Sequence, residues 1–157
     1  MMIKIKKLIP IFLIMILLNN CGYTPRYAVN KNINFTIDLI QFTGDREFNN
    51  FLKSKLTRYK KNKDNNKKNY KLNLNTEYKK NIKSKDSTGS AEKYELVITV
   101  NAIVQSELIE SKKLIFEEKF IMKKFEDAFE EKNYEKKIKE NFSDLILDRI
   151  IFYLFKL

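Results

Sequence analysis

The chain has 157 residues and a formal charge of +11, with 31 Lys and Arg against 20 Asp and Glu. It has no histidine, three glycines and a single cysteine. These counts exclude an imidazole base, a glycine-patterned phosphate loop and an intramolecular disulfide, and leave no ordinary zinc site.

The first residues carry Lys4, Lys6 and Lys7, then an apolar run of 11 residues, Leu8 to Leu18. Such a run is too short for a bilayer core, which needs about 20 residues. A basic start, a short apolar core and a cleavage point make an export signal over residues 1–20. Cys21 stands just after it, in Leu18-Asn19-Asn20-Cys21-Gly22, where a lipoprotein signal places the cysteine that is acylated. Asn20 is larger than the small residue usual before that cysteine. The competing reading is an ordinary signal peptide or signal anchor with a chance cysteine. A lone thiol in an exported protein would be free and reactive, and acylation removes that problem. Cleavage removes three lysines and lowers the charge from +11 to +8 over the remaining 137 residues, enough for one domain.

Residues 21–32 are polar, contain Pro25 and show no period, so they read as a lipidated tether. Ile33 to Phe42 places Ile33, Phe35, Ile37 and Leu39 on one alternation, predicting strand one. Thr43-Gly44-Asp45 is a turn, with Asp45 placed to cap the following helix and Glu47 in its first turn. That helix is predicted over Arg46 to Tyr59, with Phe48, Phe51, Leu52, Leu56 and Tyr59 on one stripe. Residues 61–69 lack apolar side chains and read as a mobile charged loop.

Tyr70 to Ser84 and Ala91 to Ser106 each alternate. Tyr70, Leu72, Leu74, Thr76 and Tyr78 form one apolar face, answered by Tyr94, Leu96, Ile98, Val100, Ala102 and Val104. The turn cluster at residues 85–90 joins them as an antiparallel hairpin. Ile109 to Lys112 is read as a turn, and Lys113 to Phe125 as strand four with mixed faces. A last helix starts between Ala128 and Tyr134 and runs to about Phe155. Its broad apolar face is Ile138, Phe142, Leu145, Ile146, Ile150, Tyr153, Leu154 and Leu157, with Lys139 and Asp144 assigned to the polar side. Its final turns are apolar nearly all round, which core packing explains more simply than a docking partner. The expected fold is α+β: a two-layer sandwich with two helices on a four-stranded, mostly antiparallel sheet, in the order β-α-β-β-β-α over residues 33–157. Whether strand one pairs parallel or antiparallel is open at this level.

The inventory argues against an enzyme. Glu117/Glu118 and Glu130/Glu131 lie in charge-mixed stretches and read as solvated, and no serine sits in a nucleophile elbow. No cofactor is expected. The basicity is nearly all lysine, the only arginines being Arg26, Arg46, Arg58 and Arg149. Nucleic-acid binding, which favours arginine forks, is not expected. A phosphorylated, acidic lipid surface suits an exported basic domain better.

The segment Cys21-Gly22-Tyr23-Thr24-Pro25-Arg26-Tyr27 resembles the mature start of the LPS-assembly lipoprotein LptE family, in its alphaproteobacterial form. The segment from Asp148 to Leu154 resembles that family's last helix, and the element order is that family's order. The resemblance implies an outer-membrane lipoprotein, lipid-anchored and facing the periplasm. Gly22 in place of aspartate after the cysteine agrees with outer-membrane sorting. It also implies that the protein plugs the LptD β-barrel, helps it assemble, and contacts lipopolysaccharide without catalysing a reaction. Under this reading the lysines near the hairpin tip (Lys79, Lys80, Lys83, Lys85 and Lys93) are candidates for lipid A phosphates. Against that stands a plainer role, solubilising the hairpin end and blunting an edge. The alternative function is a periplasm-facing lipoprotein accessory, a pilotin or assembly factor, of another envelope machine.

Overall fold

The first strand, β1 (Phe35–Gly44), starts with Phe35 and Ile37 buried, as the alternation predicts. A register shift between Ile37 and Leu39 then breaks the parity. Leu39, expected on the core face, stands exposed, and Ile40 and Phe42 pack against the core instead. The physical reason is the gain of two apolar side chains for one: strict period two past Asp38 would send both Ile40 and Phe42 into water. The structure, a computed structural model, describes residues 34–60, 68–107 and 109–157. The expected export signal, Cys21, the tether and Ile33 lie outside the described residues, as do residues 61–67 of the charged loop.

Helix α1 (Arg46–Leu56) follows the predicted cap. The Asp45 carboxylate accepts from the Phe48 amide at 2.7 Å, and Glu47 sits in the first turn. Phe48, Leu52 and Leu56, spaced by four, are fully buried. A single 3-10 turn, Thr57–Tyr59, ends the element. The sheet partner of β1 is β2 (Lys68–Lys85), and the pairing is parallel, from Phe35 opposite Lys68 to Gly44 opposite Thr76. Parallel neighbours need a crossover, and α1 lies within it. Lys68 and Asn69, expected in the loop, already belong to β2.

Strands β2 and β3 (Ala91–Ser106) form the predicted hairpin. Its tip is tied by Asp86, whose side chain accepts from the amides of Thr88 and Ser90. Strand β4 (Ile109–Lys123) pairs antiparallel with β3 and begins earlier than expected. The residues read as a turn are in the ladder, with Lys112 opposite Val104. A sheet ladder is held by backbone groups, and an edge strand can keep Lys112 and Lys113 in water, so their polarity did not mark a turn.

Helix α2 (Ala128–Lys156) is capped by Asp127, which accepts from the amides of Phe129 and Glu130. Ile138, Phe142, Ile146, Leu147, Ile150 and Leu154 join one core with the buried residues of α1 and the inner sheet face. The sheet order is β1-β2-β3-β4, with both helices packed into that one core. This is the expected α+β layering in the order β-α-β-β-β-α. The last turns divide: Ile150 and Leu154 are buried, whereas Phe152 and Phe155 face water.

Candidate functional site

Two helices on one face leave the other face of the sheet uncovered. The residues that point there alternate with the core residues along each strand. Lys79, Val97 and Lys119 are opposite one another across β2, β3 and β4. The next row is Glu77, Thr99 and Glu117, and the one after it Asn75, Asn101 and Ile115. Charge therefore alternates by row. Lys79 pairs with Glu77 at 2.8 Å and Lys119 with Glu117 at 2.9 Å. These pairs are exposed and contribute little stability. They make these two rows polar. Apolar side chains interrupt the face: Val97 and Ile103 on β3, and Ile115 and Ile121 on β4, the last two exposed at 73% and 54%.

The structure divides the five hairpin lysines. Lys79 and Lys83 are on the uncovered face, each with an acid; Lys83 meets Glu95 at 2.9 Å, and this bond holds the Glu95 carboxyl below its usual range. Lys93 is directly opposite Lys123 on β4, and neither it nor Lys85 forms an ion pair among the described residues. A like-charged cross-strand pair is unfavourable unless an anion sits nearby. Lys80 is placed differently. It points to the helix side, bonds Glu131 at 2.7 Å and Glu135 at 2.9 Å, and lies over the Tyr94 ring at 4.4 Å. Burial alone would lower its pKa, but the bonds from the two glutamates outweigh that and raise it. Glu131 shows the matching shift. Burial raises its pKa, and the bonds from Lys80 and from the Phe125 amide reverse this to a net lowering.

Lys80 is one part of a polar seam where the helices meet the sheet. The Tyr78 hydroxyl donates to Glu135 at 2.8 Å, and burial first, then that bond, pushes its pKa far up. Lys139 was expected on the polar side of the last helix. It is 8% exposed, lies 4.0 Å from the Tyr78 ring centre and reaches Glu47 at 3.0 Å. A buried lysine is tolerated where its ammonium finds an acid and an aromatic face. At the helix–helix contact Lys55 meets Asp144 at 2.5 Å and the Ser143 hydroxyl at 2.8 Å. Arg149 reaches the Glu117 carbonyl at 3.3 Å and the Glu118 carboxylate at 2.5 Å, fastening α2 to β4. Sequence reading missed this seam. Its one available signal was a lysine, Lys80, continuing the core parity of Tyr70 to Tyr78.

The join between β1 and α1 is a close backbone approach. A Cβ on Gly44 (φ +94°) would lie 1.8 Å from the Thr76 carbonyl oxygen. That carbonyl accepts from the Asp45 amide at 3.1 Å. The Thr76 hydroxyl, 2% exposed, bonds the Thr43 carbonyl and the Asn49 side chain. The turn thereby sets the start of α1 against β2 and opens a cleft of about 410 Å³ beside it. Among the described residues no group of three or more acidic or cysteine side chains is placed to hold a metal ion. No described helix is long and apolar enough to cross a membrane.

No family model matches the sequence, and no curated protein matches it. Solved structures do. Rare lipoprotein B from Shewanella oneidensis is similar with a TM-score of 0.53 and 16% identity, over 72% of this chain and 93% of that one. A minor lipoprotein from Acinetobacter baumannii has a TM-score of 0.49 and 12% identity, over 73% and 92% of the two chains. Lipoprotein B from Nitrosomonas europaea has 0.48 and 15%, over 82% and 92%. At such identities the likeness speaks to architecture, and the chain shares the fold of rare lipoprotein B.

Proposed function

We propose that this chain is an outer-membrane lipoprotein, anchored through acylated Cys21 and facing the periplasm, that plugs an LptD-type β-barrel and assists lipopolysaccharide delivery. The observation that carries the reading is the uncovered sheet face. It spans four strands and carries exposed Lys–Glu pairs and asparagines, with Ile115 and Ile121 among them. A barrel lumen is polar, so a body that fills it needs such a surface rather than an apolar one. The shared fold with a protein named as a lipoprotein, and the placement of Cys21 after the apolar run, support the same reading. The role is binding and scaffolding, with no catalytic step.

Within this reading the phosphate contacts fall to the lysines that lack an acid, Lys85 and Lys93, with Lys123 opposite Lys93. Lys80 is taken up by Glu131 and Glu135 and serves the fold. The test is affinity purification of a C-terminally tagged copy from detergent-solubilised outer membrane, with mass spectrometry of what accompanies it. A large β-barrel of the LptD type in stoichiometric yield is the expected result. Recovery alone, or with another envelope complex, would reject the plug and favour the accessory role.

A further inference from the structure

The cleft between β1 and α1 combines apolar side chains from a strand with basic and amide side chains from a helix. Ile40 and Phe42 line it from the strand, and Arg46, Asn49, Asn50 and Lys53 from the helix. None of its lining residues is acidic. Lys55, Lys80, Lys83, Lys119 and Lys139 each have a carboxylate within 3.0 Å, whereas Arg46 and Lys53, like Lys85, Lys93 and Lys123, have none among the described residues. The nearest acids on the same turn are committed elsewhere. Asp45 caps the Phe48 amide, and Glu47 reaches Lys139 on α2.

Arg46 and Lys53 are seven residues apart, so they stand on one side of α1, about 10 Å apart along its axis. Both side chains are long enough to converge on one anionic group between them. Asn49 is fixed, its amide donating to the Thr43 carbonyl at 3.1 Å, whereas Asn50 makes no side-chain hydrogen bond among the described residues. Beneath these donors Ile40 and Phe42 are partly buried against the core edge. A cation pair and a free amide above an apolar floor fit an anion carried on an apolar stem. The register shift in β1 builds that floor, because it turns Ile40 and Phe42 to this side.

We propose that this cleft is a binding site for the phosphate head group of an anionic membrane lipid, with its acyl portion lying on Ile40 and Phe42. The choice of a membrane lipid over a free anion rests on the lipid-anchored reading above. Residues 21–32, fully extended, span at most about 40 Å, which keeps β1 within reach of an anchoring leaflet.

The test uses the purified full chain in micelles of an uncharged detergent doped with a photoactivatable phosphatidylglycerol, and separately with a photoactivatable phosphatidylcholine. Irradiation is followed by peptide mass spectrometry. The expected result is labelling of residues 40–53 by the anionic probe. An Arg46→Glu/Lys53→Glu double variant should cut it about tenfold. A Lys132→Glu/Lys136→Glu variant, with the same charge change on exposed positions of α2, should label as the parent does. Equal labelling by the zwitterionic probe, labelling unchanged in the Arg46/Lys53 variant, or displacement by millimolar inorganic phosphate would overturn the lipid site. Both replaced residues are exposed, and circular dichroism checks that the variant is folded. The experiment needs no barrel partner, so its failure is separable from failure of the co-purification.

Discussion

Replacing Gly44 with alanine isolates the contact that joins β1, α1 and β2. Among the described residues two glycines have positive φ, Gly44 at +94° and Gly89 at +83°. An L-residue in left-handed backbone costs roughly 1–2 kcal/mol, and both sites share that cost. Their surroundings differ. A Cβ at Gly89 meets nothing within 4 Å, whereas at Gly44 it meets the Thr76 oxygen at 1.8 Å, its carbonyl carbon at 2.7 Å and its nitrogen at 2.9 Å. These are backbone atoms and cannot rotate away, so β1 and β2 must part locally. Parting strains the Asp45 amide bond to Thr76 and the Thr76 hydroxyl bond to Thr43, both 3.1 Å. Each such bond contributes about 0.5–1.5 kcal/mol. The sum for Gly44→Ala is about 2–5 kcal/mol, against about 1–2 kcal/mol for Gly89→Ala. A domain of this kind has about 5–15 kcal/mol in all, so the first variant is severely affected and the second is not. Urea denaturation followed by circular dichroism measures both. Two variants within about 0.5 kcal/mol of each other would refute the close-approach argument.

Lys80→Met leaves Glu131 and Glu135 without their cation. Breaking a buried pair costs about 3–5 kcal/mol, and partial water access to these carboxylates reduces the expected loss to about 2 kcal/mol, which a chemical melt would detect. The same pair sets a pH dependence. Glu131 is lowered in the folded state, so its contribution is present above the ordinary glutamate value of about 4.3 and is lost as pH falls through the lowered one. Lys80 is raised, so its contribution holds below about 10.4 and is lost as pH rises through the raised value; thermal melts should show that Lys80→Met flattens the acid limb. Leu52→Ala, at a fully buried position, should cost about 2–5 kcal/mol, while Ile115→Thr on the uncovered face should stay within about 0.5 kcal/mol, as paired urea titrations would show. Cys21→Ser should move the protein from the membrane to the soluble fraction on cell fractionation, and continued membrane association would reject acylation as the anchor.

The element order was written in local patterns. Period two in Tyr70 to Tyr78 and in Tyr94 to Val104, the stripe Phe48-Leu52-Leu56, and Asp45 ahead of a helix each depend on neighbours within a few residues. The placement of Cys21 is likewise a linear signal, and the anchored reading rests on it. Tertiary structure decided what depends on partners distant in sequence. The parallel pairing of β1 with β2 requires knowing where the crossover returns. The flip at Asp38 follows from which side the core lies on, and strict alternation cannot announce it. Lys80 and Lys139 look solvated in one dimension, because a lysine's burial is settled by acids about 50 or 90 residues away, Glu131 and Glu135 for one and Glu47 for the other. The same holds for the cleft. Arg46 and Lys53 are ordinary surface cations in the sequence, and only the fold shows that no acid among the described residues pairs with them while Ile40 and Phe42 line the same cleft.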